Sequence, residues 1–312
     1  MLTAPGVGLS LRLGCRAVEP LVVEVTRGDV VESRHVVHAV GVRDGRVVLA
    51  AGDPGLVTYL RSSAKPVQAL PVVRARPDLD DEQVALACAS HGATPEQLAV
   101  VRRMLAAAPA TEDDLECGVG PERIEHNCSG KHAGLLALCR AEGWPIEGYR
   151  LSDHPCQRAM LDEVAAAAEV DPASIDLGVD GCGVPTFALT LERCAHAFAR
   201  LASLAAGDRI VRAMRGNPQL LEGPVGSDVL LMRTLDGWVA KGGAEGLMCA
   251  ASPDGLGLAV KVTDGSFRAI VPVLVDVLER LGVDASAIPL PHVSNSHGEV
   301  VGTLRIVPPA GR

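Results

Sequence analysis

Residues 21–52, LVVEVTRGDVVESRHVVHAVGVRDGRVVLAAG, alternate β-branched and polar side chains around two tight-turn signals, Arg27-Gly28-Asp29 and Arg43-Asp44-Gly45. Alternation at a period of two between such turns reads as successive antiparallel strands. A second hairpin is written far along the chain, where Gly246 to Ser252 and Leu256 to Val262 flank Pro253-Asp254-Gly255. Phe267 to Leu281 then shows helical periodicity. Between these ends helices predominate. Thr94-Pro95-Glu96-Gln97 supplies an N-cap, a proline at the first helical position and a glutamine at the third, and Asp153-His154-Pro155 and Gly207-Asp208 open two more helices. The economical arrangement is an α+β fold: one antiparallel sheet assembled from N- and C-terminal strands (20–60 and 241–305), flanked by helices, with a mainly helical insertion over 61–240. No internal repeat or Gly/Ser-rich linker interrupts 1–312, so the chain reads as a single catalytic unit with a cleft between its two parts.

Composition narrows the function. Twenty-nine basic against 38 acidic residues leave a net charge of −9, so no basic surface exists to meet a nucleic-acid backbone or an anionic lipid. Aromatic residues make up only 2%, which leaves the interior to Val, Leu and Ala. No apolar run reaches the ~18 residues that span a bilayer, and the first twenty residues lack the parts of a secretory signal. The expectation is a soluble, cytoplasmic protein with a short, loose N-terminus. Nine cysteines, odd in number and scattered, read as reduced, buried apolar residues rather than a disulfide framework.

Four strings can carry chemistry. In Arg61-Ser62-Ser63-Ala64-Lys65-Pro66, the proline is tolerated only in a first helical turn, which places a helix start near Ser62 and puts Ser62 and Lys65 on one face. A serine at the positive end of a helix beside an amine that burial keeps neutral is poised for nucleophilic attack; an N-cap serine with an exposed lysine is the plain alternative. Ala87-Cys88-Ala89-Ser90-His91-Gly92 ends an apolar run in a polar loop. Asn127-Cys128-Ser129-Gly130-Lys131-His132 opens an apolar helix, and Cys128, Lys131 and His132 there, with Cys182 of Asp180-Gly181-Cys182-Gly183, could converge on a soft metal ion, or the two cysteines form a buried thiol pair. Lys241-Gly242-Gly243 leads into the C-terminal hairpin, where glycines let backbone approach a ligand closely.

Taken with Asp153-His154-Pro155, these blocks resemble the asparaginase II family, the rhizobial-type L-asparaginases of serine β-lactamase/glutaminase-like fold, over residues 21 to 285. The resemblance implies two serine-lysine couples, Ser62 with Lys65 and Ser90 with Lys241, Lys261 being a rival for the second lysine. It implies substrate binding by Arg61, His91 and Asp180, and a zinc ion on Cys128, Lys131 and Cys182 that positions substrate or shapes the pocket. It also implies a homodimer acting on a small molecule, L-asparagine. Competing readings are a serine amidohydrolase for glutamine, a β-lactam or a peptide, a non-catalytic binder, and a cysteine enzyme using Cys128 with His132. Gly226-Ser227-Asp228-Val229 does not complete the Ser-Asp-Asn loop of the penicillin-type enzymes.

Overall fold

A computed structural model describes residues 19–120, 122–223 and 226–307; Cys15 and the N-terminal residues read for a leader lie outside them. The alternating stretch forms β1 (Leu21–Arg27), β2 (Val30–Arg43) and β3 (Arg46–Ala51), joined by the two turns in which Gly28 and Gly45 adopt positive φ. A short strand, β4 (Val57–Tyr59), leads into a 3₁₀ turn over Arg61–Ala64 and then α1 (Lys65–Ala75). The helix thus begins at Lys65, a turn later than Pro66 alone suggests. The insertion continues through α2 (Asp81–Ala87), α3 (Pro95–Ala107), α4 (Ser129–Glu142) and α5 (Pro155–Ala168). After β5 (Leu177–Val179) and β6 (Pro185–Thr190) come α6 (Leu191–Arg200), α7 (Gly207–Gly216), α8 (Pro218–Leu221) and α9 (Ser227–Thr234). The C-terminal part holds β7 (Val239–Gly243), β8 (Leu247–Ala251), β9 (Gly257–Val262), α10 (Ile270–Arg280), β10 (His292–Ser294) and β11 (Val300–Val307).

The strands from the two chain ends make one antiparallel sheet in the order β10-β11-β1-β2-β9-β8-β7, with β3 extending the edge of β2 beyond β1. This is the α+β arrangement the sequence implies. Helix α6 packs on one face and α10 on the other. The end of β2 from Ala39 to Val42 is therefore buried throughout, while the strand before it alternates. Gly257 records how closely α6 approaches: a Cβ there would stand 2.0 Å from the Ala195 carbonyl oxygen.

Helix starts follow their local chemistry. Thr94 and Gln97 form a reciprocal capping box, as Asp80 and Gln83 do for α2, and the His154 ring accepts the Cys156 N–H at the start of α5. Helix α7 opens at Gly207-Asp208 as its signal implies, behind Ala206 in the left-handed region. A second sheet, β4-β6-β5, pairs a strand just before the insertion with two inside it and is absent from the sequence reading. Two of its strands have three residues each, too few for alternation to show.

Edge strand β7 carries the reactive turn. The Ser63 hydroxyl donates to the Lys241 carbonyl at 2.9 Å, and a Cβ on Gly243 would lie 2.6 Å from the Leu60 carbonyl oxygen. The glycines after Lys241 thus admit the protein's own 61–64 turn. Gly243→Ala is expected to cost ~1–3 kcal/mol of stability by overpacking. Gly216→Ala, in a helix with open space around it, is expected to be neutral or stabilising. Urea unfolding of the two variants checks this, and equal stabilities would contradict the close approach.

Candidate active site

Ser62 and Lys65 sit where the 3₁₀ turn becomes α1. Arg61 holds a left-handed φ of +50°, a costly conformation for a long side chain. It is fixed from two sides: its N–H donates to Thr186 Oγ1 at 3.0 Å and its Nε to Asp180 Oδ1 at 2.7 Å. Ser62 follows it, half-buried, with no side-chain hydrogen bond to another described residue. Lys65 is 1% exposed, its Nζ 2.5 Å from the Ala89 carbonyl and 2.9 Å from Ser90 Oγ. Burial pushes its pKa down; the Cys128 and Cys182 thiols oppose this, and the Lys131 and Lys241 amines reinforce it.

Neither Lys65 nor Lys241 is hydrogen-bonded to the serine that the resemblance pairs with it. Lys65 reaches Ser90, whereas Lys241 is bound to Asp228, Nζ to Oδ2 at 2.7 Å, in an ion pair 1% and 3% exposed at the two side chains. Burial alone would raise the Asp228 pKa. The Lys241 charge and hydrogen bond, with the Gly242 and Val229 N–H groups, hold it below the usual carboxylate range. Lys261, the rival, donates to the Glu245 and Val262 carbonyls at 2.5 and 2.7 Å on β9 and makes no contact with either serine. Asp228 went unassigned in the sequence because its string fails the Ser-Asp-Asn pattern. The overlooked signal is lysine usage: the chain has only four lysines, 65, 131, 241 and 261, and the first three are buried here.

Helix α4 delivers the third buried amine. A Cβ on Gly130 would stand 2.5 Å from the Leu86 carbonyl oxygen, so this glycine lets α4 press against α2. Lys131 Nζ donates to Cys182 Sγ at 3.1 Å, and the Cys128 thiol donates to Asn127 Oδ1 at 3.3 Å. Interaction with the neighbouring Cys182 thiol, against the cost of burial and aided by Lys65 and Lys131, draws the Cys128 thiol well below the ordinary value. Cys182 is pushed up by its Cys128 neighbour and by burial. Burial acts to lower Lys131, but the two thiols outweigh it and hold the amine above the lysine range. Two sulfur donors and an amine held together are a soft ligand set of the kind zinc takes, so these residues fit that ion once Lys131 releases its proton. Among the described residues, no group of three His, Cys, Asp or Glu side chains is arranged to hold a metal.

His91 lies beneath the site. Its Nδ1 accepts the Ala93 N–H, which leaves Nε2–H to donate to Ser129 Oγ at 2.9 Å. Burial, with Lys65 nearby, lowers its pKa to about 4, so it is a neutral prop for the start of α4. His132 is buried against Tyr149, Nδ1 to the phenol oxygen at 2.7 Å, and does not bond Cys128. The eight described cysteines are all buried and unbridged, as expected. Beyond Cys182 opens a cavity of about 420 Å³ whose lining includes Glu116, Arg123, Arg150 and Gly181 to Gly183.

Residues 23–306 match the model of a family described as L-asparaginase II. No curated protein matches the chain. Two matching solved structures are described as Mglu in its native form at 4.3 M NaCl and a β-lactamase from Mycobacterium bovis. The first is 16% identical with a TM-score of 0.36, covering 79% of this chain and 61% of that one. The second is 13% identical with a TM-score of 0.35, covering 81% and 95%.

Asp228→Asn leaves a buried ammonium without its counter-charge and is expected to cost ~3–5 kcal/mol in urea unfolding. Adding Lys241→Met should recover most of that loss. A single variant within ~0.5 kcal/mol of the parent would contradict the charged pair.

Proposed function

We propose that this chain, which belongs to the L-asparaginase II family across residues 23–306, hydrolyses the side-chain amide of L-asparagine to L-aspartate and ammonia, with Ser62 as nucleophile and Lys65 as general base. The observation that carries this reading is the Lys65 amine: buried, lowered in pKa, and three residues from a half-buried serine hydroxyl. A neutral amine that donates one hydrogen to Ala89 O keeps a lone pair for a hydroxyl proton.

The steps balance on these groups. Ser62 Oγ attacks the amide carbon while Lys65 takes its proton, giving a tetrahedral oxyanion. Collapse breaks the C–N bond, and the Lys65 ammonium returns its proton to the departing nitrogen, which leaves as ammonia. Ser90, hydrogen-bonded to Lys65, offers the path for that proton. Water, deprotonated by Lys65 in turn, then cleaves the serine ester. The Lys241–Asp228 pair keeps a fixed positive charge nearby, which disfavours a second one on Lys65. Cys128, Lys131 and Cys182 are the residues that would hold zinc, and the bound ion would supply a Lewis-acid contact for positioning the substrate's polar groups. The Arg61–Asp180 pair braces the nucleophile's turn.

A second reading has Ser90 attack, favoured by its 2.9 Å bond to Lys65. Its small exposure, 7%, favours the more open Ser62. Ser62→Ala and Lys65→Met should each lower kcat by about 10³-fold or more, within the range for losing a nucleophile or its base. Ammonia release from asparagine and glutamine, with nitrocefin turnover alongside, should favour asparagine; a preference for either alternative substrate contradicts the assignment. Mass spectrometry of the acid-quenched enzyme should find the acyl group on Ser62, and an adduct on Ser90 would transfer the nucleophile's role. Because the base must be uncharged, the rate should rise with pH through a pKa below the ordinary lysine value of about 10.4. A rising limb centred at that ordinary value would contradict the buried base.

A further inference from the structure

The cavity beyond Cys182 contains a cation that no part of the mechanism above uses. Arg150 lines it, half-exposed, and its guanidinium donates no hydrogen bond to another described residue. Glu116 forms a salt bridge with it, Oε2 to Nε at 3.7 Å, too long for a hydrogen bond, so every guanidinium N–H is left to donate to a ligand. The other arginine of the lining, Arg123, is committed to the Gly120 and Asp113 carbonyls at 3.0 and 2.5 Å.

Arg150 is also firmly presented. Its neighbour Tyr149 is fully buried, accepting the Glu116 N–H at 2.9 Å, and Gln157 holds the Tyr149 carbonyl at 2.8 Å. Glu116 Oε1 accepts the Gly148 N–H at 2.7 Å. The side chain extends over Gly183, where φ is +85° and a Cβ would meet Arg150 Cδ at 3.3 Å. One turn, 180–183, closed by Gly183 N–H to Asp180 O at 2.9 Å, runs from beneath this guanidinium to Asp180. At its start Asp180 holds Arg61, the residue before Ser62; at its end Gly183 lies under Arg150. Gly181 lines the cavity and has the Arg61 guanidinium 4.0 Å from where its Cβ would be.

We infer that Arg150 binds the α-carboxylate of the amino-acid substrate and so selects substrates that carry a free carboxylate beside the reacting amide. This rests on the asparaginase reading above. A planar guanidinium fork matches a carboxylate, and a cavity of about 420 Å³ has room for a small amino acid with water. The Glu116 carboxylate in the same lining favours a zwitterion over a dianion such as phosphate, because it attracts the ammonium and repels a second negative charge.

The test compares the full chain with Arg150→Gln and Arg150→Lys. Binding of L-aspartate is measured by calorimetry, and kinetics are measured on L-asparagine and on L-asparaginamide, whose α-carboxylate is capped. Arg150→Gln should weaken aspartate and raise KM for asparagine about tenfold or more, with kcat within about twofold and asparaginamide unaffected. Arg150→Lys should recover part of the loss. Unchanged aspartate binding and KM in Arg150→Gln, or an equal rise in KM for both substrates, overturns the inference. If the parent releases no ammonia from asparagine yet binds aspartate through Arg150, the catalytic reading falls and the carboxylate site stands.

Discussion

Three of the four lysines in the chain are buried together where the edge of the sheet meets the helical insertion, and their ammonium charges cannot all be sustained there. Two have partners that favour the charge: Lys241 has the Asp228 carboxylate, and Lys131 has the Cys128–Cys182 pair, of which Cys128 is the thiol drawn to lower pKa. Lys65 has a carbonyl and a hydroxyl instead, neither of which compensates a full charge. The arrangement thus sorts three identical side chains into two fixed cations and one base. Lysine suits this use because its pKa moves readily on burial, whereas arginine stays charged. The chain's other cations are, apart from Lys261, arginines.

Close backbone approaches hold the site together. Gly243 lets the 61–64 turn lie against β7, and Gly130 lets α4 press on α2. Ser63 ties the turn to the carbonyl of Lys241 itself, so the strand that carries one lysine also positions the serine before another. Helix α9 and the 61–64 turn pack directly on β7 at that edge, and β8 pairs its inner side. No helix among the described residues is long and apolar enough to cross a membrane.

The sheet was legible in the sequence because runs rich in apolar and β-branched residues are joined by glycine turns at Gly28, Gly45 and Gly255. Strands β4 and β5 were not, since three residues carry no period. The blocks with Ser62, Lys65, Ser90, Cys128, Lys131, Cys182 and Lys241 could be picked out because each combines reactive side chains with a turn or helix start. Their pairing was beyond reach. Spacing places Ser62 and Lys65 on one face, but a four-carbon side chain swings to whichever acceptor the fold supplies, and that is Ser90 from another segment. Asp228 escaped because its importance lies wholly in a partner thirteen residues away on a different element. Arg150 carries no motif at all; only the cavity and the lack of a hydrogen-bonding partner single it out.

With so few lysines, their charge states can be read one by one. Lysine-selective ¹³C,¹⁵N labelling with NMR titration of the Cε and Nζ signals, assigned by a Lys65→Met variant, measures the central claim directly. The account predicts that Lys65 is the neutral amine at pH 8, while Lys131 keeps an ammonium signature in the metal-free chain. An ammonium on Lys65 that persists to the ordinary lysine value of about 10.4 would contradict it.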